Sequence, residues 1–270
     1  METLLPPAYG LLAGLILGLT GAGGGIIAVP LLVFGLHLPI QQAGPVGLLA
    51  VGIAAAIGAG MGLRQGIVRY RAAALIGGCG ILTAPLGVWL AARLPNPPLL
   101  LAFAALLCWT SWRMLRHSRP AAVARPLPDQ RCRRSPADGR FLWTPPCARV
   151  LAATGLFSGL LSGLLGVGGG FFIVPALTRH TDLTPQGVLA TSLGVMTLVA
   201  AGSVAAAAWQ GSLDWELARL FALGTCTGLL LARHLASRIS GRRLQQAFAT
   251  LCGVVAAMML ARAGGWLLPG

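Results

Sequence analysis

The stretch "GLTGAGGGIIAVP", residues 18–30, lies inside an uncharged apolar run from Tyr9 to Leu36 that is long enough to cross a membrane. Five of its thirteen residues are glycine, and it ends in proline. Both residue types interrupt a helix interior, glycine through its backbone freedom and proline through its missing N–H. The stretch therefore reads as a membrane segment built to break near its centre. A second copy, "GLLGVGGGFFIVP", occupies residues 163–175, at an offset of 145 (175 minus 30).

The same register holds without a gap well beyond the motif. Gly10, Gly14 and Gly18 fall on Gly155, Gly159 and Gly163, and Gln41 falls on Gln186. Further along, Gln65–Gly66 falls on Gln210–Gly211, Phe103 on Phe248 and Met114 on Met259. A register kept over a hundred residues is an internal duplication, the usual build of secondary transporters. The halves are residues 1–116 and 149–270, joined by an Arg-rich loop at 117–148.

Composition bounds the class. The 270-residue chain is 56% hydrophobic and 10% charged, with mean hydropathy +0.79. Soluble domains carry about 25% charged residues, so this chain has too little polar surface to be one. It reads as an all-α polytopic membrane protein. The opening "METLLPPAYG" has no basic residue before the apolar run, so its first segment is expected to be retained and not cleaved. The net charge of +14 comes entirely from arginine, with nine of the twenty between Arg113 and Arg149. Clusters just outside apolar spans set membrane orientation and do not suggest a nucleic-acid partner. No CxxC or metal-ligand spacing occurs among the six cysteines. Cys132 and Cys147 fall in the Arg-rich loop; a cytoplasmic loop is reducing, so no disulfide is expected there.

Loop charge orients the halves. In the first, spans near 43–63, 72–92 and 97–115 are joined by "RQGIVRYR" (64–71, three Arg) and "RLPNPP" (93–98, one Arg). In the second, "QGSLDWE" (210–216) has no Arg and two acids, whereas "RHLASRISGRR" (233–243) carries four Arg and His234. Equivalent loops thus have opposite character, as in an inverted repeat. With the central loop cytoplasmic, 64–71, 179–186 and 233–243 are cytoplasmic, and 36–42 and 210–216 external. The segment from Arg149 to Arg179 then starts and ends on one side. A break at Gly166–Gly170 with arms of about ten residues, roughly 15 Å each, satisfies this. Its counterpart breaks at Gly21–Gly25.

Unpaired amides at the start of the short helices beyond each break, at Ile26 and Phe171 onward, would favour an anion. Thr20, Ser158, Ser162, Thr191 and Ser192 are candidate hydrogen-bond donors, though membrane Ser and Thr commonly bond their own helix. Gly10, Gly14 and Gly18 read as close helix packing. No acid or base lies deep in a span, and His37, His180 and Asp182 sit at loop edges.

The doubled G-x-GGG-x-x-x-VP motif, "ATSL" at 190–193 and "WQGSLDWELARLFALGTCTG" at 209–228 resemble the TauE/SafE (TSUP) family of membrane permeases. The similarity spans the chain apart from residues 117–148. It implies a bacterial inner-membrane transporter of a small, sulfur-containing anion such as sulfite or an organosulfonate. It also implies Gly23, Gly24, Gly25, Pro30, Gly168, Gly169, Gly170, Pro175, Thr191 and Ser192 as the substrate region. The equivalent of "ATSL" in the first half, "GPVGLLA" at 44–50, has Pro45 and Gly47 and no hydroxyl. The expected partners are the anion, the lipid bilayer and a coupling ion, a proton or another. No cofactor, metal or catalytic residue is expected. Two rival readings are a non-transporting scaffold acting through the Arg-rich loop and an intramembrane hydrolase using Ser158 or Ser162. The hydrolase lacks a base, because all four histidines fall at span ends or in loops.

Overall fold

A computed structural model of the chain describes residues 5–20, 24–117, 132, 144–236 and 250–261. All regular elements among the described residues are helices. The first half holds α1 (Leu5–Thr20), α2 (Gly24–Gly35), α3 (Ile40–Arg64), α4 (Tyr70–Arg93) and α5 (Asn96–His117). The second holds α6 (Pro145–Leu165), α7 (Gly170–His180), α8 (Pro185–Trp209), α9 (Trp215–Ala236) and α10 (Thr250–Ala261). Five of them, α3, α4, α6, α8 and α9, are long and apolar enough to cross a membrane. Large apolar side chains such as Leu82, Leu86, Phe157, Leu223 and Val254 are exposed. An exposed belt of this kind suits lipid and not water. Trp209 and Trp215 flank the α8–α9 loop and Tyr70 begins α4, where amphipathic rings favour the membrane–water boundary.

Helix ends follow local chemistry. Thr184 caps α8 by accepting from Gly187 N at 3.2 Å, with Pro185 as first helical residue. Asp214 caps α9, its Oδ1 accepting from Glu216 N and Leu217 N, both at 3.1 Å. The repeated Gln–Gly pair is a helix-ending turn. Gln65 and Gln210 are in right-handed conformation, and Gly66 and Gly211 both have φ +68°, which glycine adopts without penalty.

Packing repeats at the same offset as the sequence. Gly10 and Gly14 of α1 lie against the backbone of Phe221 and Thr225 in α9. Gly155 and Gly159 of α6 lie against Ile76 and Gly80 in α4. Moving each position by 145 converts one set into the other, with the partner halves exchanged. A Cβ at any of these glycines would collide with the facing backbone, so the small residues set the helix spacing. Thr83 Oγ1 adds a hydrogen bond across α4–α6 to Leu156 O at 2.8 Å. At the centre α3 crosses α8, its own equivalent, with Gly52 against Ala200.

Two expectations need correction. The helices beside the second break are unequal, with 21 residues in α6 and 11 in α7, instead of about ten each. Helix α6 begins at Pro145, before Arg149, whose side chain is exposed, so an arginine did not mark the helix start. The non-helical residues 166–169 then run back beside the last turns of α6, until Gly169 stands against Ser158. Second, Cys132 and Cys147 form a disulfide, with Cα atoms 5.1 Å apart. The expectation rested on compartment alone. Geometry brings the pair together, because Cys132 N donates to His180 O at 3.1 Å while Cys147 lies in the first turn of α6. That junction holds the start of α6 and the end of α7 at one place, so α6 and α7 form a hairpin. The Phe157 and Phe172 rings, 6.4 Å apart, join its arms.

Candidate functional site

The α6–α7 break is built from three left-handed glycines. Gly166 ends α6 at φ 74° and ψ 19°, and its N–H donates to Ser162 O at 2.8 Å. Gly168 follows at φ 74°, and Gly169, at φ 69°, is the N-cap of α7. A side chain at these angles strains the backbone, which is why the sequence places glycine there. No side chain caps the start of α7, leaving its first amides and the positive end of its dipole directed into the break.

Everything around this backbone is buried. Residues 165–170 are enclosed, between α3 and α8. Gly166 rests on Gly44 of α3, and Gly168 faces Met196 of α8, with Leu48 and Val51 of α3 behind it. A Cβ on Gly25 would collide with Val167 O, so the start of α2 meets the second break directly. Gly24 and Gly25 thus lie at the same centre as Gly168, Gly169 and Gly170. Gly23 lies outside the described residues. Pro30 and Pro175 sit further along α2 and α7, inside helices that continue through them.

A narrow crevice of about 40 Å³ leads to the break between α3, α4 and α6. Gln41, Gln210 and Ser212 line its outer part, and Gly44, Gly163 and Gly166 its inner part. The polar lining comes from the α3 start and the α8–α9 loop.

The candidate hydroxyls separate into two groups. Thr20 Oγ1 donates to Ile16 O at 2.7 Å, and Ser192 Oγ donates to Leu189 O at 2.8 Å. Thr191 Oγ1 accepts from Arg69 N at 3.1 Å, tying α8 to the α3–α4 turn. Ser158 and Ser162 are fully buried, and neither Oγ has a hydrogen-bond partner. The sequence names both serines among possible donors. It does not single them out, because nothing in it tells which face of α6 meets the returning coil. His37 lies in the α2–α3 connection and His180 ends α7; Arg93 ends α4 with its guanidinium 3.8 Å from the Trp89 ring centroid.

Five helices long and apolar enough to cross a membrane, with an exposed apolar belt and a glycine-broken element enclosed among them, define a multi-pass membrane protein. The family model described as "Sulfite exporter TauE/SafE" matches residues 7–259. A "Probable membrane transporter protein" of Xylella fastidiosa (strain 9a5c) is 30% identical over 237 residues, covering 86% of this chain and 84% of the relative. The "Probable membrane transporter protein YdhB" of Bacillus subtilis (strain 168) is 26% identical over 217 residues, 80% of this chain and 83% of the relative. No solved structure matches the chain. The chain belongs to the sulfite exporter TauE/SafE family, as a multi-pass transporter of the bacterial inner membrane.

Proposed function

We propose that the chain moves a small sulfur-containing anion, sulfite or an organosulfonate, by alternating access of two inverted halves around the paired glycine breaks. The observation that carries this reading is the α6–α7 break, an uncapped helix start enclosed at the centre of an apolar bundle. Backbone that leaves a helix at membrane depth lines a cavity or a ligand site, and amides at a helix start attract negative charge. Gly23–Gly25 and Gly168–Gly170 are the proposed substrate backbone, Pro30 and Pro175 lie on the helices that leave it, and Thr191 and Ser192 are the proposed contribution of α8, one turn or more from Met196, which faces Gly168. Inversion is supported by the exchanged packing of the halves and by the opposite charge of equivalent loops. In that topology the Arg-rich loop is cytoplasmic, and the crevice at Gln41 and Gln210 is the external route to Gly166. A proton or another ion couples the movement.

Uptake into proteoliposomes tests the reading, with sulfite, sulfate, thiosulfate, sulfoacetate, taurine and chloride offered under an imposed gradient. Selective flux of a sulfur-containing anion above empty liposomes is expected. Folded protein that passes none of them would overturn it.

A further inference from the structure

We propose that Ser158 and Ser162 hold the anion's oxygens, so that the hydrogen-bonding side chains of the site come from the second half alone; this rests on the anion reading above. Both hydroxyls are fully buried without a partner, on one face of α6 four residues apart. Ser158 Oγ is the atom a Cβ on Gly169 would strike, so it points at the uncapped start of α7. The Ser158 hydroxyl and the helix-start amides therefore converge at one place, with the unpartnered Ser162 hydroxyl one turn along the same helix face, the donor set an oxyanion requires. A membrane Ser normally spends its hydroxyl on its own helix, as Ser203 does toward Val199 O at 3.0 Å. Ser158 and Ser162 do not, and a buried hydroxyl left unpaired is costly unless a ligand completes it.

The first half lacks these groups. Subtracting 145 from 158 and 162 gives Ala13 and Leu17, both fully buried. Gly24, the equivalent of Gly169, is faced by Leu17, the equivalent of Ser162, so hydrocarbon stands against the first break where the Ser158 hydroxyl stands against the second. The duplication has kept two glycine breaks and made one of them polar. The anion head is bound against α6 and α7, while the first break supplies backbone and an apolar wall.

The test uses purified full-length wild type, Ser158→Ala/Ser162→Ala, Ser162→Ala alone and Ser203→Ala as a buried-serine control. Thermal midpoints are measured without anion, then with sodium sulfite against sodium chloride, and sulfite flux is measured in proteoliposomes. Without sulfite the double variant should melt no lower than wild type, because it loses only unpaired hydroxyls. Sulfite should raise the wild-type and Ser203→Ala midpoints but not that of the double variant. Its half-saturation for flux should rise about tenfold or more, with Ser162→Ala between. Unchanged half-saturation in the double variant, beside wild-type flux, would overturn the serine assignment and leave anion transport standing. A double variant that melts well below wild type without sulfite would make the hydroxyls structural and also overturn it. Absence of oxyanion flux in wild type would overturn both.

Discussion

Ser158 and Thr191 show how a residue's role depends on what faces it. Both hydroxyls are buried in a span, yet Thr191 accepts the Arg69 N–H and Ser158 faces a glycine turn without a partner. Thr191→Val should leave that N–H unpaired and lower stability by about 1–3 kcal/mol, read as a lower thermal midpoint. No change would mean that the α3–α4 turn does not depend on the bond. The second glycine triplet was legible as a turn because glycine adopts positive φ without penalty, and Gly168 and Gly169 occupy it. The serines were not separable from Thr20 or Ser192, because hydrogen-bond partners arise from tertiary contacts. Asp214 is the reverse case, a loop acid read only as charge that proves to cap α9. Asp214→Ala should cost about 1 kcal/mol, and an unchanged midpoint would deny the cap its role.

Helix pairs follow the glycine ridges. Gly155, Gly159 and Gly163 let α6 approach α4, so Gly159→Val should push the pair apart and cost about 1–3 kcal/mol. Gly78→Val, on α4 with open space around it, should be far milder, and equal loss in both would rule out close packing as the cause. The break itself was readable from sequence, but not its shape. Arms of about ten residues each were expected, whereas α6 has 21 residues and α7 has 11, and the return runs as coil along α6. The Cys132–Cys147 pair was missed because compartment says whether a disulfide survives and geometry says whether it can form. Alkylation of purified protein, denatured but not reduced, should modify four of six cysteines. Modification of all six would contradict the pairing.

Among the described residues, α1 packs on α9 and α6 on α4 through glycines related by the same 145-residue offset. That offset was legible in the sequence, since duplication preserves register, whereas loop charge bears on sidedness, which packing does not report. The inverted topology proposed above assigns opposite sides to equivalent loops and is open to test at equivalent, exposed positions. Cysteine at Gln210 should react with a membrane-impermeant maleimide from outside, and cysteine at Gln65 only from the cytoplasmic side. Labelling of both from one side would contradict inversion. The most direct test of transport through the α6–α7 break compares two substitutions that strain the backbone alike, Gly169→Ala at φ 69° and Gly66→Ala at φ 68°. Only the first meets Ser158, while the second projects into open space at a surface turn. Sulfite flux in proteoliposomes should fall at least about tenfold in Gly169→Ala and stay near wild type in Gly66→Ala. Equal flux in the two variants would contradict passage of the anion through the break.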